Sequence, residues 1–310
     1  MTEADKSLIP KNLLEFEQMF SSEELCIEYL LKLKPYVCAK CNHTGYWRRK
    51  KGYACICIKC GYEKSLLANT IFEGKSKPLM LYFRAIWYVV SQKNGSNAMN
   101  IQRILGLGSY NTAWTWLQKL RQAMIRSDIS KLKGKVEVDE TLIGSPGLGE
   151  RKRGRGTKKL LIVVAVEINN GLGRIRMRYI ENARADNLHT FIQNNIEIGS
   201  NLITDDWRGY CGIENKGYFR EIHQSKNDDE LEHIHLVASL LKRWLIGTLQ
   251  GSYSIKYLDS YLDEFVFRFN RRNSKDRGLL FYRLLETAVN KPPTTTDEIK
   301  AKEKEQNPSK

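Results

Sequence analysis

The residues best suited to chemistry fall into two groups. Cys38 and Cys41 in CAKC, and Cys57 and Cys60 in CIKC, form two C-x-x-C turns separated by fifteen residues. Each turn can aim two thiolates at one cation. Together they complete the tetrahedral sulfur site that Zn²⁺ favours, an ion with no geometric preference of its own. Cys55 lies two residues before Cys57 and leaves a shifted pairing open. A thioredoxin-like redox role is the alternative for a single C-x-x-C, but two copies flanking a basic hairpin without a βαβ pattern speak against it. Five of the seven cysteines crowd between Cys38 and Cys60, which argues for a metal site over a secreted disulfide framework and leaves Cys26 and Cys211 as reduced thiols.

The second group is scattered. Asp139 lies inside the apolar run VEVDETLIG (136–144), where a carboxylate is costly unless it is paired or binds a cation. Strand alternation puts it on the face of Glu137 and Thr141, opposite Val136, Val138 and Glu140; an exposed strand face is the plainer alternative. Asp205 ends the short apolar strand of NLITDDWRGY (201–210). Open sheets often carry catalytic groups at such ends, and an Asx-turn before Trp207 is the local alternative. HIHLVASLLKRWLIGTLQ (233–250) reads as a helix. At about 100° per residue, with His235 at zero, Leu236, Val237, Leu240, Leu241, Trp244 and Leu245 fill an arc of roughly 100° to 280°, and Lys242 falls at about −20°. His235 and Lys242 therefore share the polar face, two turns apart.

Several elements must position these groups. Residues 12–34 have helical spacing, with Ser21 and Ser22 as a break or cap. Between the cysteine pairs, TGYWRRKKGYAC reads as a short basic hairpin whose small core is covered by Tyr46, Trp47 and Tyr53, so that bound metal supplies much of its stability. LMLYFRAIWYVVSQ (79–92) is an apolar helix. A helix, a turn at Gly106 to Gly108 and a second helix follow, the size of a helix-turn-helix. In such a motif Ser109, Tyr110, Asn111 and Thr112 would meet bases, although a plain three-helix packing unit reads similarly. From residue 134 the period changes to that of strands at 136–144, 159–168 and 173–181, then a helix at 185–196 and the strand at 201–205. This βββαβ order is α+β and suits an RNase H-like core.

Charge points to the partner. The chain has 310 residues, 50 Lys+Arg against 35 Asp+Glu, and a net charge of +15. Residues 31–100 hold thirteen bases against two acids, whereas residues 1–30 hold seven acids against two bases. Clustered cations release counterions from phosphate backbones, so nucleic acid is the expected partner and a solvated basic face the bland alternative. GSPGLGERKRGRGTKK (144–159), with five glycines and six bases, reads as a mobile phosphate-binding loop or a merely solvated one. No run approaches the roughly 18 to 20 apolar residues of a membrane span, and the acidic start lacks a signal-peptide pattern, so a cytoplasmic protein is expected.

Five blocks carry a resemblance: KSLLANTIFEGKSKPL (64–79), VEVDETLIG (136–144), LITDDWRGY (202–210), VASLLKRWLIGT (237–248) and YLDEFVFRFNRR (261–272). With the cysteine ribbon they make the chain similar to the DDE transposases of bacterial insertion sequences, in the Merlin-related (ISXO-like) group, over most of residues 36–290. The resemblance implies an RNase H-like catalytic domain, an N-terminal DNA-binding region, and divalent Mg²⁺ or Mn²⁺ at two aspartates and a third ligand. Carried over by position, the aspartates are Asp139 and Asp205, with Asp206 a neighbour of the second. The third ligand stands seven residues before the lysine of LLKRW, which is His235, where DDE enzymes in general have glutamate. Glu232 is the fallback carboxylate. Lys242 would position a DNA phosphate. An imidazole is softer than a carboxylate, so Mn²⁺ is expected to support more activity than Mg²⁺.

The expected architecture is α+β and multidomain. It comprises a helical segment (1–35), a zinc ribbon (36–66), a helix-turn-helix region (67–130), an RNase H-like mixed-sheet catalytic domain (131–290) and a disordered tail (291–310). The expected activity is binding of element ends, then DNA cleavage and strand transfer by a homodimer or larger synaptic complex acting on element ends and target in double-stranded DNA. A zinc-ribbon transcription regulator and an RNase H-like structure-specific nuclease are the alternatives.

Overall fold

A computed structural model describes residues 9–75, 77–125, 130–144, 159–223, 231–250 and 253–301. The basic loop expected at 144–159 lies, apart from its two end residues, outside the described residues. The chain divides into two compact units, Met1–Met124 with Ser274–Lys310, and Ile125–Asn273. No described helix is long and apolar enough to cross a membrane.

In the first unit α1 (Leu13–Met19) and α2 (Glu23–Leu33) are separated where the two serines interrupt the helical run, and the Ser22 hydroxyl caps α2 by accepting from the Leu25 amide. A three-stranded antiparallel sheet follows, of β1 (Tyr46–Arg48), β2 (Ala54–Cys57) and β3 (Glu63–Ser65). Tyr46 packs on Tyr36 with ring centroids 4.8 Å apart, and the Tyr53 hydroxyl meets Glu23. Trp47, expected in the ribbon core, is instead 52% exposed. It pairs with Ile56, which is buried, on the opposite face of this narrow sheet from Tyr46.

Three helices complete the N-terminal part of this unit: α3 (Leu79–Ser91), α4 (Ala98–Leu105) and α5 (Tyr110–Met124). Helix α4 stops at Gly106, whose φ of 61° suits a residue without Cβ. Ser109, Tyr110 and Asn111 are exposed and Thr112 half-buried, whereas Thr115, Gln118 and Arg121 further along α5 are buried. The expected catalytic domain ran to residue 290, but helix α9 (Arg277–Asn290) packs in the N-terminal unit. Phe281 sits among Phe16, Phe20, Tyr29, Phe83 and Trp87, with ring centroids 5.3 to 6.4 Å away, an aromatic cluster that α9 completes. Part of the tail expected to be disordered is also ordered: α10 (Thr296–Ala301) packs on α5, burying Ile299.

The second unit is built on β4 (Lys135–Gly144), β5 (Lys159–Ile168), β6 (Leu172–Ile180), β7 (Asn201–Thr204) and β8 (Phe219–Ile222), with α6 (Ala185–Asn195) between β6 and β7. The sheet order is β6-β5-β4-β7-β8, with β4, β5 and β6 antiparallel and β4, β7 and β8 parallel. This is the RNase H-like order. Strand β8 was not among the strands expected: its four residues FREI leave Phe219 and Ile222 exposed, so no buried stripe marks it. Helices α7 (Glu232–Leu249) and α8 (Leu258–Phe269) cover one sheet face, packing Ile234, Val237, Leu241 and Phe265 on Ile143, Ile162, Val164 and Ile203. Helix α6 and the segment after β7 cover the other, with Leu188, Phe191 and Tyr210 on Val136, Val138 and Val163. Strand β5 is buried on both faces, the continuous apolar pattern of a central strand.

Candidate active site

The carboxylates meet where β4 and β7 run parallel. Val136 pairs with Leu202 and Glu137 with Ile203, and continuing that register by two residues brings Asp139 level with Asp205. Both aspartates are half-buried. Burial pushes the Asp139 carboxyl up to about 6; the Glu140 amide, which donates to Oδ1 at 2.7 Å, opposes this, the charge of Asp205 adds to it, and His235 opposes it. Asp139 therefore feels both Asp205 and His235, although the three come from β4, the end of β7 and the first turn of α7. Asp206 is exposed beside them.

Two interactions hold the end of β7. The Trp207 amide donates to Asp205 Oδ1 at 3.1 Å, so the Asx-turn is present and coexists with the placement of Asp205 beside Asp139. Arg220 on β8 donates to Thr204 Oγ1 and to the Asp205 carbonyl, both at 2.9 Å, and lies over the Tyr210 ring. On the opposite sheet face, the buried Tyr210 hydroxyl donates to Glu140 Oε1 at 2.6 Å. Burial pushes Glu140 up to about 7; the Tyr210 hydrogen bond counters it and the charges of Asp139 and Asp205 reinforce it. Asp139, Glu140 and Tyr210 are thus electrostatically linked at the end of the parallel β4–β7 pair.

His235 is exposed on α7, and so is Lys242 seven residues on. The buried stripe of α7 is Ile234, Val237, Ala238, Leu241, Leu245 and Thr248. Leu236, expected in that stripe, is 49% exposed, because the stripe is centred nearer Ile234 than the pattern of leucines suggested. Glu232 is exposed, with Oε1 3.9 Å from His233 Nε2. Spacing along the chain gives His233 and Glu137 no role, yet Glu137 is buried and bonded to the first turn of α7. A second acidic residue in phase with Asp139 is the one signal in the sequence that points to it.

Among the described residues, Cys38, Cys41, Cys57 and Cys60 are the group whose ligand atoms all lie within 4.8 Å of one another. The sulfurs of Cys38 and Cys60, Cys41 and Cys57, and Cys41 and Cys60 are 3.5, 3.6 and 3.4 Å apart. A tetrahedron with Zn–S bonds of about 2.3 Å has edges of about 3.8 Å, so a modest expansion accommodates the ion. Cys55 is buried outside this cluster, on the Cys57 strand but two residues away from the knuckle. The Asp139, Asp205 and His235 set is wider than such a cage. Its donors, two carboxylates and an imidazole, nonetheless fit Mg²⁺ or Mn²⁺, and a pair of ions about 3.5 to 4 Å apart requires a wider set than one ion does.

Residues 131–270 match the family model of the ISXO2-like transposase domain. The chain carries a transposase domain. The match runs from the residue before the buried Leu132 to the end of α8 and contains Asp139, Asp205, His235 and Lys242, so the candidate site lies within the matched segment. No curated protein matches the sequence. Among solved structures, the catalytic core domain of BIV integrase is similar at 18% identity and a TM-score of 0.34, over 46% of this chain and 86% of that one. The Mos1 strand transfer complex is similar at 14% identity and a TM-score of 0.30, over 72% and 82%. A simian T-cell lymphotropic virus intasome is similar at 14% and 0.34, over 64% and 74%. The fold of this transposase rests on its own strand order.

Proposed function

We propose that this transposase serves an insertion sequence: it binds the ends of its element, cleaves them, and joins them to target DNA by transesterification. The observation that carries the reading is the convergence of Asp139, Asp205 and His235, from three separate elements, at the parallel β4–β7 pair inside the transposase domain. Asp139, Asp205 and His235 would hold a pair of divalent ions, Mg²⁺ or Mn²⁺. Bound there, the ions would activate the attacking oxygen and stabilise the leaving one. In the first step a water oxygen bonds to phosphorus as the P–O3′ bond breaks, freeing a 3′-hydroxyl. In the second that hydroxyl attacks a target phosphodiester, so one P–O bond forms as another breaks and no outside energy source is needed.

Lys242, exposed on the helix of His235, would hold a phosphate as a point charge. In the first unit the four cysteines would bind Zn²⁺ and stiffen a ribbon whose hairpin tip exposes Arg49, Lys50 and Lys51. Ser109, Tyr110 and Asn111 at the exposed start of α5 would meet bases. Pairing two DNA ends calls for a homodimer or larger synaptic complex, and the cytoplasm is where such DNA is met. The test is strand joining by the purified full chain with Mn²⁺ or Mg²⁺ on a donor carrying the native flanking DNA. Joined products that vanish in Asp139→Ala, with a loss of at least about 10³-fold, support the reading. Flank binding without cleavage in either ion would favour a regulator, and symmetric nicks on branched DNA a structure-specific nuclease.

A further inference from the structure

We infer that Glu137 is a positioning residue that ties the strand bearing Asp139 to the helix turn bearing His235, and so sets where the imidazole stands against the two aspartates. Glu137 is 4% exposed, and a carboxylate buried to that degree is costly unless its oxygens are engaged. Both are. Oε1 is 2.8 Å from His233 Nδ1, and Oε2 accepts from the Ile234 amide at 3.1 Å.

The Ile234 amide is one of the first-turn donors that a helix cannot satisfy internally. Helix α7 follows Leu231, which has no side chain able to cap it. Glu137, ninety-seven positions earlier in the chain, supplies that cap from the sheet, with a charge of the sign that the start of a helix favours. The two groups it grips, His233 and Ile234, immediately precede His235. On the strand side, Glu137 and Asp139 share a face two residues apart, a separation of about 6.6 Å that the pleat keeps constant. One carboxylate thus converts a rigid strand spacing into a defined relation between the first and third members of the candidate site. The sequence run E-V-D on one side and H-I-H on the other is the signature of the link.

This inference rests on the metal-site reading above, and its test separates the two. Mn²⁺ binding is measured by electron paramagnetic resonance on the zinc-loaded full chain, without DNA, for wild type, Asp139→Ala, Glu137→Ala, Glu137→Gln and His233→Ala. The expected result is that Glu137→Ala weakens Mn²⁺ binding by roughly tenfold or more, the range in which groups supporting metal ligands act. His233→Ala should lose less, and Glu137→Gln, which keeps an acceptor for the Ile234 amide, should stay within about threefold of wild type. Zinc content and binding to duplex DNA stay unchanged in all of them, which a general loss of structure would not allow. Wild-type Mn²⁺ affinity in Glu137→Ala overturns the inference, as does Glu137→Gln failing as badly as Glu137→Ala. Should Glu137→Ala not fold, unaltered affinity in both Glu137→Gln and His233→Ala overturns it. If Asp139→Ala also binds Mn²⁺ like wild type, the metal-site reading falls and the inference with it; if only Asp139→Ala loses the ion, the positioning role alone falls.

Discussion

On the function proposed above, the cysteine cluster of the ribbon and the acidic cluster of the sheet are two answers to one problem, holding a cation with side chains. The ribbon draws all four thiols from residues 38–60, and each pair is set by the geometry of its own turn. The acidic cluster draws on residues 139, 205 and 235, which meet only because β4 and β7 pair in parallel and α7 packs on the sheet. The first kind of site makes its own structure once the ion binds. The second would depend on a scaffold that already exists without it, in which Arg220 bonds the Asp205 carbonyl, Tyr210 the Glu140 carboxyl and Glu137 the first turn of α7. A local site is therefore sensitive to loss of the ion, and a distributed one to loss of its supports.

The largest expected effect breaks this comparison on the ribbon side. Cys57→Ser should release zinc and unfold residues 36–66, because a structural zinc site contributes on the order of 10 kcal/mol to so small a subdomain. Cys55→Ser should retain the full zinc content, since Cys55 stands outside the cluster. Metal analysis and proteolysis of the ribbon would check both; zinc loss in Cys55→Ser but not in Cys57→Ser would reverse the ligand assignment.

On the sheet side the next effect is one of pH. Asp139 is raised from 3.8 to about 6 and Glu140 from 4.5 to about 7, chiefly by burial in both cases. The folded state therefore binds more protons than the unfolded one across roughly pH 4 to 7, and for these two groups stability falls as pH rises through that window. Divalent metal needs the ionised carboxylate, so its affinity should fall about tenfold for each pH unit below about 6. Denaturation of wild type and Asp139→Asn at pH 5 and 7.5, with and without Mn²⁺, would measure both signs. A metal-free wild type that gains nothing over Asp139→Asn on acidification would contradict the buried-carboxyl account.

A smaller effect sharpens the role of supports. Tyr210→Phe leaves the Glu140 carboxyl without its 2.6 Å donor and should cost about 1 to 3 kcal/mol in denaturant unfolding. It should leave zinc content untouched. The smallest effect concerns ligand type: His235→Glu should raise the rate with Mg²⁺ relative to that with Mn²⁺ by several-fold, as a harder donor suits the harder ion. Equal rates with the two ions in wild type, left unchanged by this substitution, would remove the imidazole from metal binding.

The same contrast between local and distributed features governs how much of the molecule is legible in its residue pattern. Ser22 as a cap, Gly106 as a helix stop and the continuous apolar pattern of β5 are local signals, and the elements they mark fall where the spacing puts them. Strand β8 escapes, because an edge strand of four residues with Phe219 and Ile222 exposed carries no buried stripe. The allegiance of α9 also escapes: its apolar face fits any core, and only the aromatic cluster around Phe281 assigns it to the N-terminal unit. Trp47 and Leu236 are expected to pack because they are apolar, yet Trp47 lies half-exposed at the ribbon surface over the buried Ile56 position and the α7 stripe is centred on Ile234.

By itself the sequence determined the cysteine cage, the basic N-terminal third, the order of most strands and helices, and the few acids whose placement in apolar strands demanded an explanation. Each of these is a matter of spacing along the chain, which side-chain chemistry and backbone periodicity translate directly into structure. Tertiary structure alone decided that Asp139 stands level with Asp205, that Arg220 holds the Asp205 carbonyl and Tyr210 the Glu140 carboxyl beside them, and that Glu137 caps the helix of His235. Those relations join residues tens of positions apart, and their geometry comes from sheet register and helix packing, which depend on every strand and helix at once.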